Sequence, residues 1–315
     1  MLSERRTFLR NTSLLAGATL LAKPFDSFAS VSKKINTVAA GKTIRLYYTG
    51  GLNGRIEANH QHQGGLKAIA KLIGQQELSG LILDSGNFLS ADSSKDADGK
   101  VIAAMNAIGY HAATLGPNEL KGGQATLLSL IQQCEFPIVN CNYTFSEVML
   151  NDKLRTYQII RSGKLRVGIT GVGPMTSVGG ITYNDAITCA RRVSKYLKET
   201  ELCDLVICLS QLGASDDQLN DRKLASSSSH IDFIVGGSEQ KLNTGALILK
   251  NAKKHDVVFC YAGTEGALLG STVFGYNEAN VRNDFRHKYL VAGLAVNKSS
   301  LLANQRLHDL IVATV

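Results

Sequence analysis

Between Val101 and Leu120 the chain reads VIAAMNAIGYHAATLGPNEL, and this stretch limits the fold more than any other. Apolar residues at Val101, Ile102, Met105 and Ile108 recur at helical spacing, Gly109 stops the helix, and Ala112 to Leu115 form a short apolar run. The pattern predicts helix, glycine cap, buried strand and loop. In an α/β sheet, ligands are held where strands end. A site is therefore expected at the loop that opens with Gly116.

The same rhythm recurs on both sides. Strands are predicted at Thr43 to Tyr48 and Leu81 to Asp84, the latter a near-continuous apolar run of the kind buried on both faces. An amphipathic helix, Leu66 to Gly74, lies between them. Further helices are expected at Gln124 to Cys134 and Asp185 to Thr200, and strands at Pro137 to Asn140, Leu205 to Leu209 and Ile231 to Val235. Tyr157 to Ile160 and Leu165 to Val172 flank Ser162-Gly163 as a hairpin. Ser226 to Ser229 reads as a polar loop. Val257 to Ala262, Gly270 to Tyr276 and Tyr289 to Val296 read as late antiparallel strands, and Leu301 to Ile311 as a closing helix. Mixed sheets with helices outside fit an α/β (α+β) fold of four layers, α-β-β-α.

At 315 residues, 44% hydrophobic and 19% charged, the chain is long enough for one large domain or two modest ones. Its first residues stand apart. Arg5-Arg6-Thr7-Phe8-Leu9 precede a weakly apolar run, Asn11 to Ala22, and the small-x-small Ser27-Phe28-Ala29. This resembles a twin-arginine export signal over 1–29, followed by a linker over 30–40, a folded domain over 41–300 and a tail over 301–315. The apolar run is too short to span ~30 Å of hydrocarbon, so no transmembrane segment is expected in the mature chain. Removing 1–29 deletes four positive and two negative charges, which lowers the net charge from +8 to +6. That mild excess is spread out, and aromatics make up 6%, so nucleic-acid binding gains no support. The six cysteines form no CxxC, and Cys203, Cys208 and Cys260 lie in or beside apolar runs, where a thiol acts as a small hydrophobe. The expected destination is the periplasm.

Five strand-end loops carry a resemblance. Val101 to Leu120, with Gly116-Pro117-Asn118-Glu119 at its end, resembles the GNHE segment of calcineurin-like metallophosphoesterases, in particular the 5'-nucleotidase branch. Thr49-Gly50-Gly51-Leu52-Asn53-Gly54 is similar to that family's T-N-D-x-H-G, and Leu83-Asp84-Ser85-Gly86-Asn87-Phe88 to L-D-x-G-D-F. Ser210-Gln211-Leu212-Gly213 resembles S-H-L-G, and Ile234-Val235-Gly236-Gly237-Ser238-Glu239-Gln240 resembles I-I-G-G-H-x-[HQ]. The frames match in order and spacing over about residues 43 to 270. The resemblance implies a four-layer sandwich of the metallo-dependent phosphatase type.

It also implies which positions would do chemistry, and there the residues differ. Metal ligands would fall on Gly51, Asn53, Asn87, Pro117, Gln211, Ser238 and Gln240, and the catalytic dyad on Asn118 and Lys121. The family uses two divalent metals, such as zinc or manganese, whose mutual repulsion a bridging carboxylate and hydroxide offset. Here Gly51 has no side chain, Pro117 has no ligand atom, and neutral amides stand for the bridging carboxylate and the imidazoles. Amides bind hard cations only within an oxygen-rich shell, and Asn118 cannot carry a proton at any useful pH. No metal cofactor and no catalytic group are therefore expected. Two readings of the amides remain open: a hydrogen-bonded polar plug, or a small-ligand pocket built from Asn53, Asn87, Asn118, Gln211 and Gln240.

Asp84 and Glu119 keep the family's frame, where such carboxylates serve loop structure. His60 and His62 form an H-x-H in a loop that could hold a surface metal or be merely solvated, and His111, His230 and His255 read as edge or capping residues. Full-length relatives continue into a nucleobase-stacking domain, so the chain is expected to correspond to the catalytic-type domain alone. The expected function is binding by an exported, inactive domain, with a separate 5'-nucleotidase-type subunit or an envelope protein as partner. The alternative is a phosphoesterase with a remodelled, metal-poor site.

Overall fold

The computed structural model describes residues 42–60, 62–92, 94–213, 219–237 and 245–293. The export-signal pattern, the linker, the closing helix and the positions Ser238 and Gln240 lie outside them.

Two sheets face each other. The first has five strands, β1 (Thr43–Thr49), β2 (Leu81–Asp84), β3 (Ala112–Ala113), β12 (Leu268–Tyr276) and β13 (Arg282–Val291), in the order β13-β12-β1-β2-β3. The second has β5 (Tyr157–Ser162), β6 (Leu165–Val172), β8 (Leu205–Ser210), β9 (Phe233–Gly236), β10 (Leu247–Lys250) and β11 (Asp256–Tyr261), in the order β10-β11-β9-β8-β6-β5. Parallel strands fill the middle of each sheet and antiparallel pairs close it: β12 and β13 beside β1, β5 beside β6, β10 beside β11. β4 (Tyr143–Phe145) and β7 (Ile181–Tyr183) make a small separate ribbon.

Alternation along the strands sorts the core into three parts. Ile44, Leu46 and Tyr48 of β1, with Leu205, Ile207 and Leu209 of β8, fill the space between the sheets. Tyr47 and Ile82 point the other way, under helices α1 (Leu66–Gly74), α2 (Lys95–Ile108), α3 (Pro117–Leu120) and α4 (Gly123–Ile131). Val206, Cys208 and Ile234 lie under α6 (Ala186–Glu199) and α7 (Asp221–Ser227), while α5 (Val148–Lys153) packs near β4. Side chains of period two, buried on both faces, thus require helices on the two outsides. The four layers are α-β-β-α, as the element pattern predicts.

Several local expectations need correction. The last strand is Arg282–Val291 rather than Tyr289 to Val296, because it pairs along the whole of β12; its outward Asp284, Arg286 and Lys288 made the run look like a loop. Ser226 and Ser227 end helix α7, whose N-cap Asn220 accepts from the Lys223 N–H, so only Ser228 and Ser229 of that run lie outside a helix. The strand after Gly109 is only Ala112–Ala113, and Ile138 and Val139 make single bridges instead of a strand over Pro137 to Asn140. Helix α2 begins earlier than its apolar stripe, at Lys95, where Ser94 caps it, and Gly109 ends it in the left-handed conformation.

Candidate functional site

The loops after β1, β2, β3, β8 and β9 meet at one edge of the paired sheets. Backbone bonds stitch them together: the Gly51 N–H donates to Gly86 O at 2.8 Å, Asn53 to Asn87 O at 2.9 Å, and Gly237 to Ser210 O at 2.8 Å. Five sequence frames thus become one mouth.

Its floor is held by carboxyl groups. Glu119, 2% exposed, takes three backbone N–H bonds, from Asn87 at 2.9 Å, Leu89 at 2.8 Å and Gly116 at 2.7 Å, so one side chain ties the β2 loop to the β3 loop. Asp84, fully buried, accepts from Thr49 Oγ1 at 2.7 Å and from the Gly86 N–H at 2.8 Å, and Tyr110 joins at Thr49. Burial pushes the carboxyl of Asp84 up to about 7 and that of Glu119 up to about 8, against the pull of the donated hydrogen bonds. Both serve loop structure, as their frame positions imply.

Above the floor the amides interlock. Asn118 gives its side-chain N–H to Asn53 Oδ1 at 3.0 Å and to Leu89 O at 2.9 Å, while its backbone N–H reaches Asn87 Oδ1 at 3.0 Å. Asn87 donates in turn to Gln211 Oε1 at 3.0 Å, and Gln211 Nε2 donates to Ser85 O at 2.6 Å. The contacts are close enough to require glycine around them. A Cβ at Gly116 would stand 2.3 Å from Asn87 Oδ1, and one at Gly237 would stand 2.2 Å from Gln211 Nε2. Asn53 and Asn87 both adopt positive φ, 49° and 55°, a conformation asparagine tolerates better than most residues.

Among the described residues, the donor set at the mouth does not fit a pair of divalent cations. The amide oxygens of Asn53, Asn87 and Gln211, the atoms that would ligate, each accept from a neighbouring N–H. None carries the charge needed to hold two cations together. Gly51 and Pro117 stand at the mouth with nothing to offer. Lys121 pairs with Asp92 at 2.7 Å on the exposed rim and touches no dyad partner, while Arg55 pairs with Glu265 at 3.1 Å. Among the described residues no group of three or more His, Cys, Asp and Glu side chains could hold a metal ion, and His60 sits exposed in its loop.

The other histidines have structural partners. His111 Nδ1 accepts from the Ile82 N–H at 3.1 Å, so its ring extends the sheet edge, and burial lowers its pKa to about 4. His230 lies beside Lys253 at 2.8 Å and Glu199 at 3.3 Å. Sequence reasoning did not foresee three features. Ser85 O is the far end of the amide chain, and Ser210 Oγ donates to the buried Asp221. A concavity also opens beside Leu212. Asn220-Asp221 at a helix start was the signal available for the second; the others depend on long-range contact.

No protein-family model matches the chain. It is 25% identical over 249 residues to the 5'-nucleotidase of Vibrio cholerae, covering 69% of this chain and 44% of that protein. Among solved structures, a 5'-nucleotidase precursor from Thermus thermophilus superposes with a TM-score of 0.71 at 20% identity, over 80% of this chain and 55% of that one. The calcineurin-like phosphoesterase YfkN of Bacillus subtilis gives 0.63 at 19% identity, over 86% of this chain and 98% of that one. The fold is shared with the 5'-nucleotidases and calcineurin-like phosphoesterases to which the chain is similar. The curated relatives include a 5'-nucleotidase and a 2',3'-cyclic-nucleotide 2'-phosphodiesterase/3'-nucleotidase, and the chain spans less than half the length of either.

Proposed function

We propose that this is an exported, non-catalytic member of the phosphoesterase fold that acts by binding, with a protein of the cell envelope or a separate 5'-nucleotidase-type subunit as its partner. The observation that carries the reading is the amide chain from Asn53 through Asn118 and Asn87 to Gln211, in the loops where the family resemblance puts metal ligands. Without a cation, water keeps a pKa near ~15.7 and no charge neutralises a phosphoryl group. Asn118, at the position of the leaving-group acid, has no proton to give. Export rests on the Arg5-Arg6 pattern. No helix among the described residues is long and apolar enough to cross a membrane.

The test is turnover of AMP and bis(p-nitrophenyl) phosphate by the purified protein with added manganese. Rates equal to the protein-free control are expected; manganese-dependent hydrolysis that an Asn87→Ala variant loses would overturn the reading. A second reading, a phosphoesterase with a remodelled site, is favoured by one fact: the relatives are named as enzymes, a 5'-nucleotidase and a 2',3'-cyclic-nucleotide 2'-phosphodiesterase/3'-nucleotidase among them.

A further inference from the structure

A second concavity, of about 630 Å³, opens at the carboxyl ends of β6 and β8. Its volume lies within the ~300–1,000 Å³ common to small-molecule sites. Pro174 and Met175 follow β6, Leu212 comes directly after Gln211, and Leu219 and the ring of Tyr183 complete the described walls. The pocket therefore adjoins the end of the amide chain but belongs to different side chains.

Its chemistry differs from that of the mouth. No acidic or basic side chain is among its described lining residues. The walls are apolar, and Met175 is 78% exposed, an unbranched thioether able to reshape itself around a flat ring. Among the described lining residues, side-chain polar contacts come from the hydroxyls of Thr176, Ser177 and Tyr183. Thr176 Oγ1 accepts from the Val178 N–H at 3.3 Å and Tyr183 Oη from the Ala186 N–H at 3.4 Å, so each hydroxyl spends a lone pair and keeps its proton to donate. Burial raises the Tyr183 pKa, which keeps it a donor.

We propose that this pocket binds an uncharged aromatic or heteroaromatic small molecule that carries hydrogen-bond acceptors. Apolar walls take the ring, and the hydroxyls take the acceptors. The inference goes beyond the reading of the mouth and does not depend on it.

Adenosine and adenosine 5'-monophosphate are suitable probes, because they share one ring system and differ in charge. The protein contains four methionines, and Met105 is fully buried far from the pocket in the helix-covered core. Protein labelled with ¹³C at the methionine methyls is titrated with each compound in the presence of EDTA. The expected result is a saturable shift of the Met175 methyl with a Kd of ~1 mM or tighter, an unmoved Met105, no tighter binding of the monophosphate, and severalfold weaker adenosine binding in Tyr183→Phe. No saturable shift, tighter binding of the monophosphate, or an adenosine affinity unchanged in Tyr183→Phe would each overturn the proposal. Because metal is absent throughout, none of these outcomes bears on whether the mouth is catalytic.

Discussion

The floor and the mouth of the same five loops are built from different materials. On the floor, Glu119 and Asp84 keep their carboxyls and satisfy backbone N–H groups that nothing else reaches. In the mouth, neutral amides bond one another and the backbone. The difference teaches what holds each part of a motif in place. A carboxyl that serves the backbone is fixed by the cost of orphaned N–H groups, whereas a ligand position is held only by the ligand. On the proposed reading no charge is required there, and any side chain that satisfies its neighbours will do.

Ordered by expected effect, four changes break or sharpen this contrast. Glu119→Ala strands three backbone N–H groups, two of them buried, and is expected to cost about 3–5 kcal/mol in urea unfolding. A loss under about 1 kcal/mol would show that water replaces the carboxyl.

The next effect is that of pH. Asp84 and Glu119, raised to about 7 and about 8, hold protons that the unfolded chain has released, so their contribution is lost as pH rises towards those values. His111 and His287, lowered to about 4 by burial, act in the opposite sense, since the unfolded chain takes up protons below its own pKa near 6.5. The two trends oppose each other between pH 4 and 6.5, above which the contribution of these two histidines no longer changes. Stability should therefore fall by about 2 kcal/mol from pH 6.5 to 8. In Asp84→Asn the slope on that limb should be smaller, as urea midpoints across the range would reveal.

Cutting the mouth should matter less. Asn87→Ala removes two hydrogen bonds at a half-buried position and is expected to cost about 1–2 kcal/mol. Asn87→Asp loses the donor to Gln211 and should be destabilised alike, with a melting temperature that added manganese leaves unchanged. A rise on adding manganese would show that the mouth still gathers ligands. The smallest effect is expected of Lys121→Ala, whose urea midpoint should match that of the parent, because its pair with Asp92 is exposed and screened by solvent.

Much of the layered fold was legible because strands such as Leu81–Asp84 are apolar on both faces, and that pattern has few explanations. The hairpin at Ser162-Gly163 and the helix after Asp185 were local signals of the same quality. β13 was not legible over its full length, since an edge strand can alternate charged and apolar residues without burying the former. The short ribbon of β4 and β7 joins segments distant in sequence and leaves no periodicity to read. In the site, motif spacing placed Asn53, Asn87, Asn118 and Gln211 together, but not the order in which they bond, which depends on close approaches at Gly116 and Gly237. The pocket beside Leu212 depends on the meeting of three segments and carries no motif at all.

The central claim is that the mouth cannot hold a metal pair. It is tested most directly by loading the protein with excess manganese or zinc, removing free ions by gel filtration and measuring the metal left on the chain. The account predicts a content indistinguishable from a metal-free control. Retention of about two equivalents per chain, the stoichiometry of a dinuclear centre, and its loss in an Asn87→Ala variant would contradict it.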